Sequence, residues 1–131
     1  MLPDYKDFAE YIALHYPEAG KIVEVGVGRE FSVVEELKKR LRAKIITVDI
    51  KGKPTVKDDV TSPRLELYTG AELIYAIRPN PELYPYLLRI ARKVKADLII
   101  RPFSLDPPFK EGKLVNYKAS TFYVYKYLET L

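Results

Sequence analysis

The sequence predicts a three-layer α/β domain with a mainly parallel sheet of about five or six strands. Three observations carry that expectation. The apolar, β-branched runs at 22–25, 44–50, 73–77 and 98–100 do not alternate with polar residues, so they suit strands buried on both faces. Segments with helical spacing lie between them. A strand, a helix and a second strand are complete within about 30 residues, the length of a right-handed βαβ unit.

Each element follows from local pattern. Residues 4–15 put Tyr5, Phe8, Ile12 and Leu14 at helical spacing, and Pro17 and Gly20 stop the segment. Residues 21–25 form the first strand. A helix is expected over 30–42, with Val33, Val34, Leu37 and Leu41 as its buried stripe and Glu35/Lys39 and Glu36/Arg40 as i,i+4 pairs. Residues 44–50 are the second strand. The stretch 51–63 is rich in Gly, Pro and Asp and reads as loop, with a short strand around Val56–Val60 and a brief helix at 63–69. The strand at 73–77 runs into Arg78-Pro79-Asn80-Pro81. The next helix carries Pro85 in its first turn, where a missing N–H costs little. It presents Leu88, Ala91 and Val94 on one face, with Arg89, Arg92, Lys93 and Lys95 outward. The strand at 98–100 precedes a Pro-rich loop over 102–113. Phe122/Val124 alternate with Tyr123/Tyr125/Tyr127 in a last strand expected to keep one face more polar.

Composition limits the chemistry. The 131 residues suit one domain, 1–131, that buries about two-thirds of the unfolded chain's surface. No apolar run reaches the roughly 18 residues of a membrane span, and the N-terminus does not resemble a signal peptide, so a cytoplasmic protein without membrane contact is expected. Cysteine is absent and His15 is the only histidine, which removes thiolate and multi-histidine metal sites, and no metal is expected. Gln is absent and 31% of residues are charged, as in thermophilic proteins that avoid labile side chains. The net charge of +4 resides wholly in residues 61–131. That half permits contact with RNA without demanding it.

The chemistry-bearing stretch is Glu24-Val25-Gly26-Val27-Gly28-Arg29-Glu30, a strand ending in two glycines spaced by one residue. Glycine there allows positive φ and leaves a helix N-terminus open to a ligand. A dinucleotide fingerprint would need glycine at position 31, where Phe31 stands, so NAD is disfavoured. Asp49 ends the next strand, 23 residues after Gly26, where an acid meets the ribose hydroxyls of an adenosine ligand. Ile50 beside it could pack on the adenine. Glu30 suits the helix dipole but repels phosphate, which favours a ligand carrying positive charge. The ATP-binding motif G-x-x-x-x-G-K-[ST] is also absent. Arg78, Asn80 and Arg101, past two strand ends, are substrate-side candidates, and no general base is identifiable.

Acid-x-Gly-x-Gly resembles the first motif of Rossmann-like S-adenosylmethionine (SAM) methyltransferases, whose usual third glycine is replaced by Glu30. Asp58-Asp59-Val60 resembles the methyltransferase position at which an acid receives the adenine amino group, here assigned to Asp59. Asp106-Pro107-Pro108-Phe109 matches the wording of the amino-methyltransferase substrate motif but follows the wrong strand. E-V-G-V-G-R-E, V-D-I, D-D-V-T-S-P, A-E-L-I-Y-A-I-R-P and A-D-L-I-I together are similar to an uncharacterised archaeal protein family, regarded as small, truncated relatives of those methyltransferases. The resemblance implies a Rossmann-like fold with SAM as cofactor. The implied SAM site comprises Glu24, Gly26, Val27, Gly28, Asp49, Ile50 and Asp59, with methyl transfer to an unknown acceptor. The alternative is a non-catalytic interaction module that binds RNA.

Overall fold

The computed structural model describes residues 2–103 and 112–129. Its centre is a seven-stranded sheet. The strands are β1 (Lys21–Val25), β2 (Lys44–Asp49), β3 (Val56–Lys57), β4 (Leu73–Ile77), β5 (Asp97–Arg101), β6 (Lys113–Tyr117) and β7 (Ser120–Tyr125), in the spatial order β3-β2-β1-β4-β5-β7-β6. The first five are mutually parallel, and β7 runs antiparallel to both neighbours. The helices are α1 (Pro3–His15), α2 (Ser32–Arg40) and α3 (Tyr84–Val94).

Two apolar layers sandwich the sheet. On one face Phe8, Ile12, Val33 and Leu37 from α1 and α2 pack with Ile22, Ile45, Leu73 and Ile99. On the other, Leu87, Ile90 and Ala91 from α3 pack with Val23, Val48, Ile74, Leu98 and the buried Tyr68. The register sets Glu24 beside Thr47 on one side and Tyr75 on the other. Burial on both faces is why these strands carry unbroken apolar runs.

Three expectations are corrected. The sheet has seven strands, because Lys113–Tyr117 pairs with β7 as an edge strand. Its exposed Lys113, Leu114 and Asn116 make no buried-strand pattern in the sequence. The tyrosine face of β7 is not polar: Phe122 and Val124 join the α1 layer while Tyr123 and Tyr125 join the α3 layer, and all four are buried. Leu14 is 60% exposed; Ala9 and Tyr11 complete the buried stripe of α1 instead.

Local signals set the helix ends. Pro3 begins α1 and Pro85 lies in the first turn of α3. Lys38, Lys39 and Arg40 in the last turn of α2 complement its dipole. α3 closes on Lys95 in the left-handed conformation, φ +63°, whose N–H satisfies the Ala91 carbonyl.

Candidate functional site

The turn after β1 meets the C-terminal end of β2. Gly26 N–H donates to the Val48 carbonyl at 2.7 Å, continuing the ladder past the strand. Gly26 and Gly28 hold φ of +76° and +56°, and a Cβ on either would meet nothing within 4 Å. Conformation, not crowding, therefore demands glycine there, and the turn has open space before it. Val27 between them is 3% exposed and anchors the turn in the core. Asp49 reaches across: its Oδ2 accepts the Gly28 N–H at 2.8 Å and its Oδ1 accepts the Lys51 N–H at 3.2 Å.

Beneath the turn, Glu24 is 2% exposed and accepts the Tyr75 hydroxyl at 2.6 Å. Burial pushes its carboxyl up to about 8, against the opposing pull of the tyrosine hydrogen bond, and Glu30 adds like-charge repulsion. Glu24 is therefore mostly protonated at neutral pH. Glu30 turns its carboxylate onto the N–H and hydroxyl of Ser32, the first residue of α2. A phosphate seeking that N–H would find it already taken.

Beside the turn lies a cavity of about 140 Å³. Val25, Gly26, Val48, Asp49, Ile50, Asp58, Asp59, Val60 and Leu83 line it. Its walls are apolar and its rim acidic. Asp59 is exposed and accepts the Thr61 N–H and hydroxyl, which lower its pKa. Its neighbour Asp58 is held more firmly, accepting the Tyr68 hydroxyl at 2.7 Å and the Arg64 guanidinium at 3.3 Å. Asp58 stands in the same acidic pair in the sequence. What selects it is the contact with buried Tyr68, ten residues along, which no helix or strand spacing reveals. Leu83 was likewise not anticipated: Asn80 accepts the Glu82 N–H, and the short 3-10 turn Pro81–Leu83 carries Leu83 to the cavity.

The substrate-side candidates lie at the same sheet edge but do not line this cavity. Asn80 is engaged in that cap. Arg78 has φ +51° and stacks its guanidinium 5.4 Å from the Phe103 ring. Arg101 donates twice to Asp4 Oδ2, at 2.7 and 3.0 Å, and is tied to the start of α1. His15 stacks on Tyr11, 3.9 Å between centroids, and has its Nδ1 2.9 Å from the Tyr11 carbonyl. Asp106-Pro107-Pro108-Phe109 lies outside the described residues.

Residues 5–127 match the model of the uncharacterised protein family UPF0146. The chain belongs to that family. A UPF0146 protein of Archaeoglobus fulgidus is 43% identical over 122 residues, covering 88% of this chain and 90% of the relative. In three dimensions, the chain is similar to CalS10, a SAM-bound amino pentose methyltransferase from Micromonospora echinaspora, with TM-score 0.56 and 14% identity. That alignment covers 92% of this chain but only 60% of the methyltransferase, so the chain spans three-fifths of its length. A fibrillarin/Nop5p complex matches with TM-score 0.50 and 13% identity, covering 95% of this chain and 83% of the matched one. At such identities the likeness establishes a shared Rossmann-like fold and no more. No helix among the described residues is long and apolar enough to cross a membrane.

Proposed function

We propose that this protein binds SAM in the cleft formed by the glycine turn, the end of β2 and the cavity beside them, in the service of methyl transfer. The observation that carries the reading is convergence. One small cavity gathers Gly26, Asp49, Ile50 and the Asp58-Asp59 pair from three separate stretches of chain.

The residues present fit this ligand and not its phosphorylated relatives. Apolar walls from Val25, Val48, Val60 and Leu83 suit a heterocycle, and Ile50, 59% exposed, can cover one face of it. Asp49 keeps acceptor capacity beyond its two backbone bonds, enough for a ribose hydroxyl. Asp58 or Asp59 can accept from the adenine amino group. Gly26 and Gly28 leave room for the amino-acid moiety, while Val27 and Glu24, both buried beneath, hold the turn in shape rather than meet the ligand. Glu30 blocking the Ser32 N–H and an acidic rim both work against a pyrophosphate.

When bound, SAM supplies an electrophilic methyl group on a positively charged sulfur. The protein's part is to hold it in orientation, which can itself supply much of the acceleration of a transfer reaction. Arg78, Asn80 and Arg101 stand at the same edge, where an acceptor would approach.

Isothermal titration with SAM, its demethylated product, NAD and ATP tests the reading. Saturable binding of SAM or its product, with NAD and ATP inert, is expected. Heats indistinguishable from dilution at millimolar SAM would overturn it.

A further inference from the structure

We propose that the outer face of α3, with the pocket beside it, is a binding surface for single-stranded RNA. Arg89, Arg92, Lys93 and Lys95 are all exposed there. No acid occurs within Tyr84–Val94, and no ion pair among the described residues engages any of the four cations. Arg101 differs in this respect, since Asp4 neutralises it at 2.7 Å. Four exposed cations without an opposing acid thus share the outer face and C-terminal cap of α3.

The surface also has shape. A pocket of about 160 Å³ separates α3 from the loop after β3, with Thr61 and Pro63 on one side and Tyr86, Arg89 and Lys93 on the other. The Arg89 guanidinium lies 5.5 Å from the centre of the Tyr86 ring. A stacking platform flanked by a second cation one turn along is the pairing that a base and its neighbouring phosphates require. The Thr61 hydroxyl donates to Asp59 at 2.7 Å, so its lone pairs are free to accept from a ribose 2′-hydroxyl, which DNA lacks. A lipid surface is a poorer match, because none of the large exposed apolar side chains among the described residues lies on α3. The pocket shares Val60 with the candidate SAM cavity, so a strand on α3 would pass beside that site.

Fluorescence anisotropy with a labelled uridine-rich RNA oligonucleotide, across a salt series, tests the proposal. Arg89→Ala/Lys93→Ala should weaken binding at least tenfold and flatten the plot of log K against log salt by about 1.4, two contacts at roughly 0.7 each. Lys38→Ala/Lys39→Ala removes equal charge from exposed positions on the opposite layer and should change little. Tyr86→Leu should cost roughly tenfold, and Tyr86→Phe should restore binding. Melting curves confirm that each variant is folded. No binding by the unaltered protein at low salt, equal loss from both charge pairs, or equal affinity for a single-stranded DNA oligonucleotide of the matching sequence would each overturn the proposal.

Discussion

Asp49 Oδ2 accepts the Gly28 N–H at 2.8 Å, so the acid that ends β2 holds the glycine turn that follows β1. One carboxylate thereby shapes the turn and faces the cavity. Asp49→Asn keeps an acceptor for Gly28 but loses the charge. It should fold normally and bind SAM about tenfold more weakly, since hydrogen bonds to charged groups contribute about 1.5–3 kcal/mol. Asp49→Ala should also lose about 1 kcal/mol of stability. Calorimetric titration and urea unfolding distinguish the two; unchanged affinity in Asp49→Asn would remove the ribose role.

Gly28 sits at φ +56° with open space where a side chain would go. Gly28→Val should cost about 1–2 kcal/mol, the penalty of left-handed backbone for a side-chain-bearing residue. The protein should stay folded but lose the stabilisation of about 2.7 kcal/mol expected from SAM at 100 times its dissociation constant. Thermal melting with and without ligand measures both effects.

Glu24 introduces a pH dependence. Its carboxyl rises to about 8 in the fold, above the ordinary 4.5, so the native state holds a proton that the unfolded chain releases. Its contribution is intact below about pH 4.5 and is lost as pH rises towards 8 and past it. Glu24→Gln can still accept from Tyr75 without ever ionising. The stability gap between Glu24→Gln and the unaltered protein should therefore shift in favour of the variant between pH 5 and 9. Denaturant melts across that range decide it, and a gap independent of pH would mean Glu24 does not titrate in this window.

Leu98 is fully buried and Ile46 is 6% exposed, both in the layer beneath α3. Leu98→Asp and Ile46→Asp should each unfold the domain, because a buried aspartate must stay charged without a partner or be forced to protonate, and with the lost packing either costs a large share of the roughly 5–15 kcal/mol of a typical fold. Circular dichroism reads this directly. Cooperative melting at the original temperature in both variants would contradict the packing described.

Lys95 caps α3 at φ +63°, a conformation glycine adopts without penalty. Lys95→Gly should stabilise the protein by about 0.5–1 kcal/mol, reduced by the lost charge at the helix C-terminus. Guanidinium unfolding checks the sign.

By itself the sequence determined the layers and the turn. Burial on both faces leaves a signature in unbroken apolar runs such as Leu73-Ile74-Tyr75-Ala76-Ile77, and left-handed backbone leaves one in Gly26 and Gly28. These are local requirements, so local pattern carries them. Tertiary structure alone decided which polar groups meet. Tyr75 reaches Glu24 across 51 positions and Arg101 finds Asp4 across 97, and no spacing rule links such partners. The edge strand β6 was hidden because it is paired on one side only and buries little, so its residues were free to be polar. The same freedom conceals which cations are satisfied. Arg101 ends a strand and Arg89 points outward from a helix, but only folding shows that Asp4 neutralises the first while no acid reaches the second among the described residues.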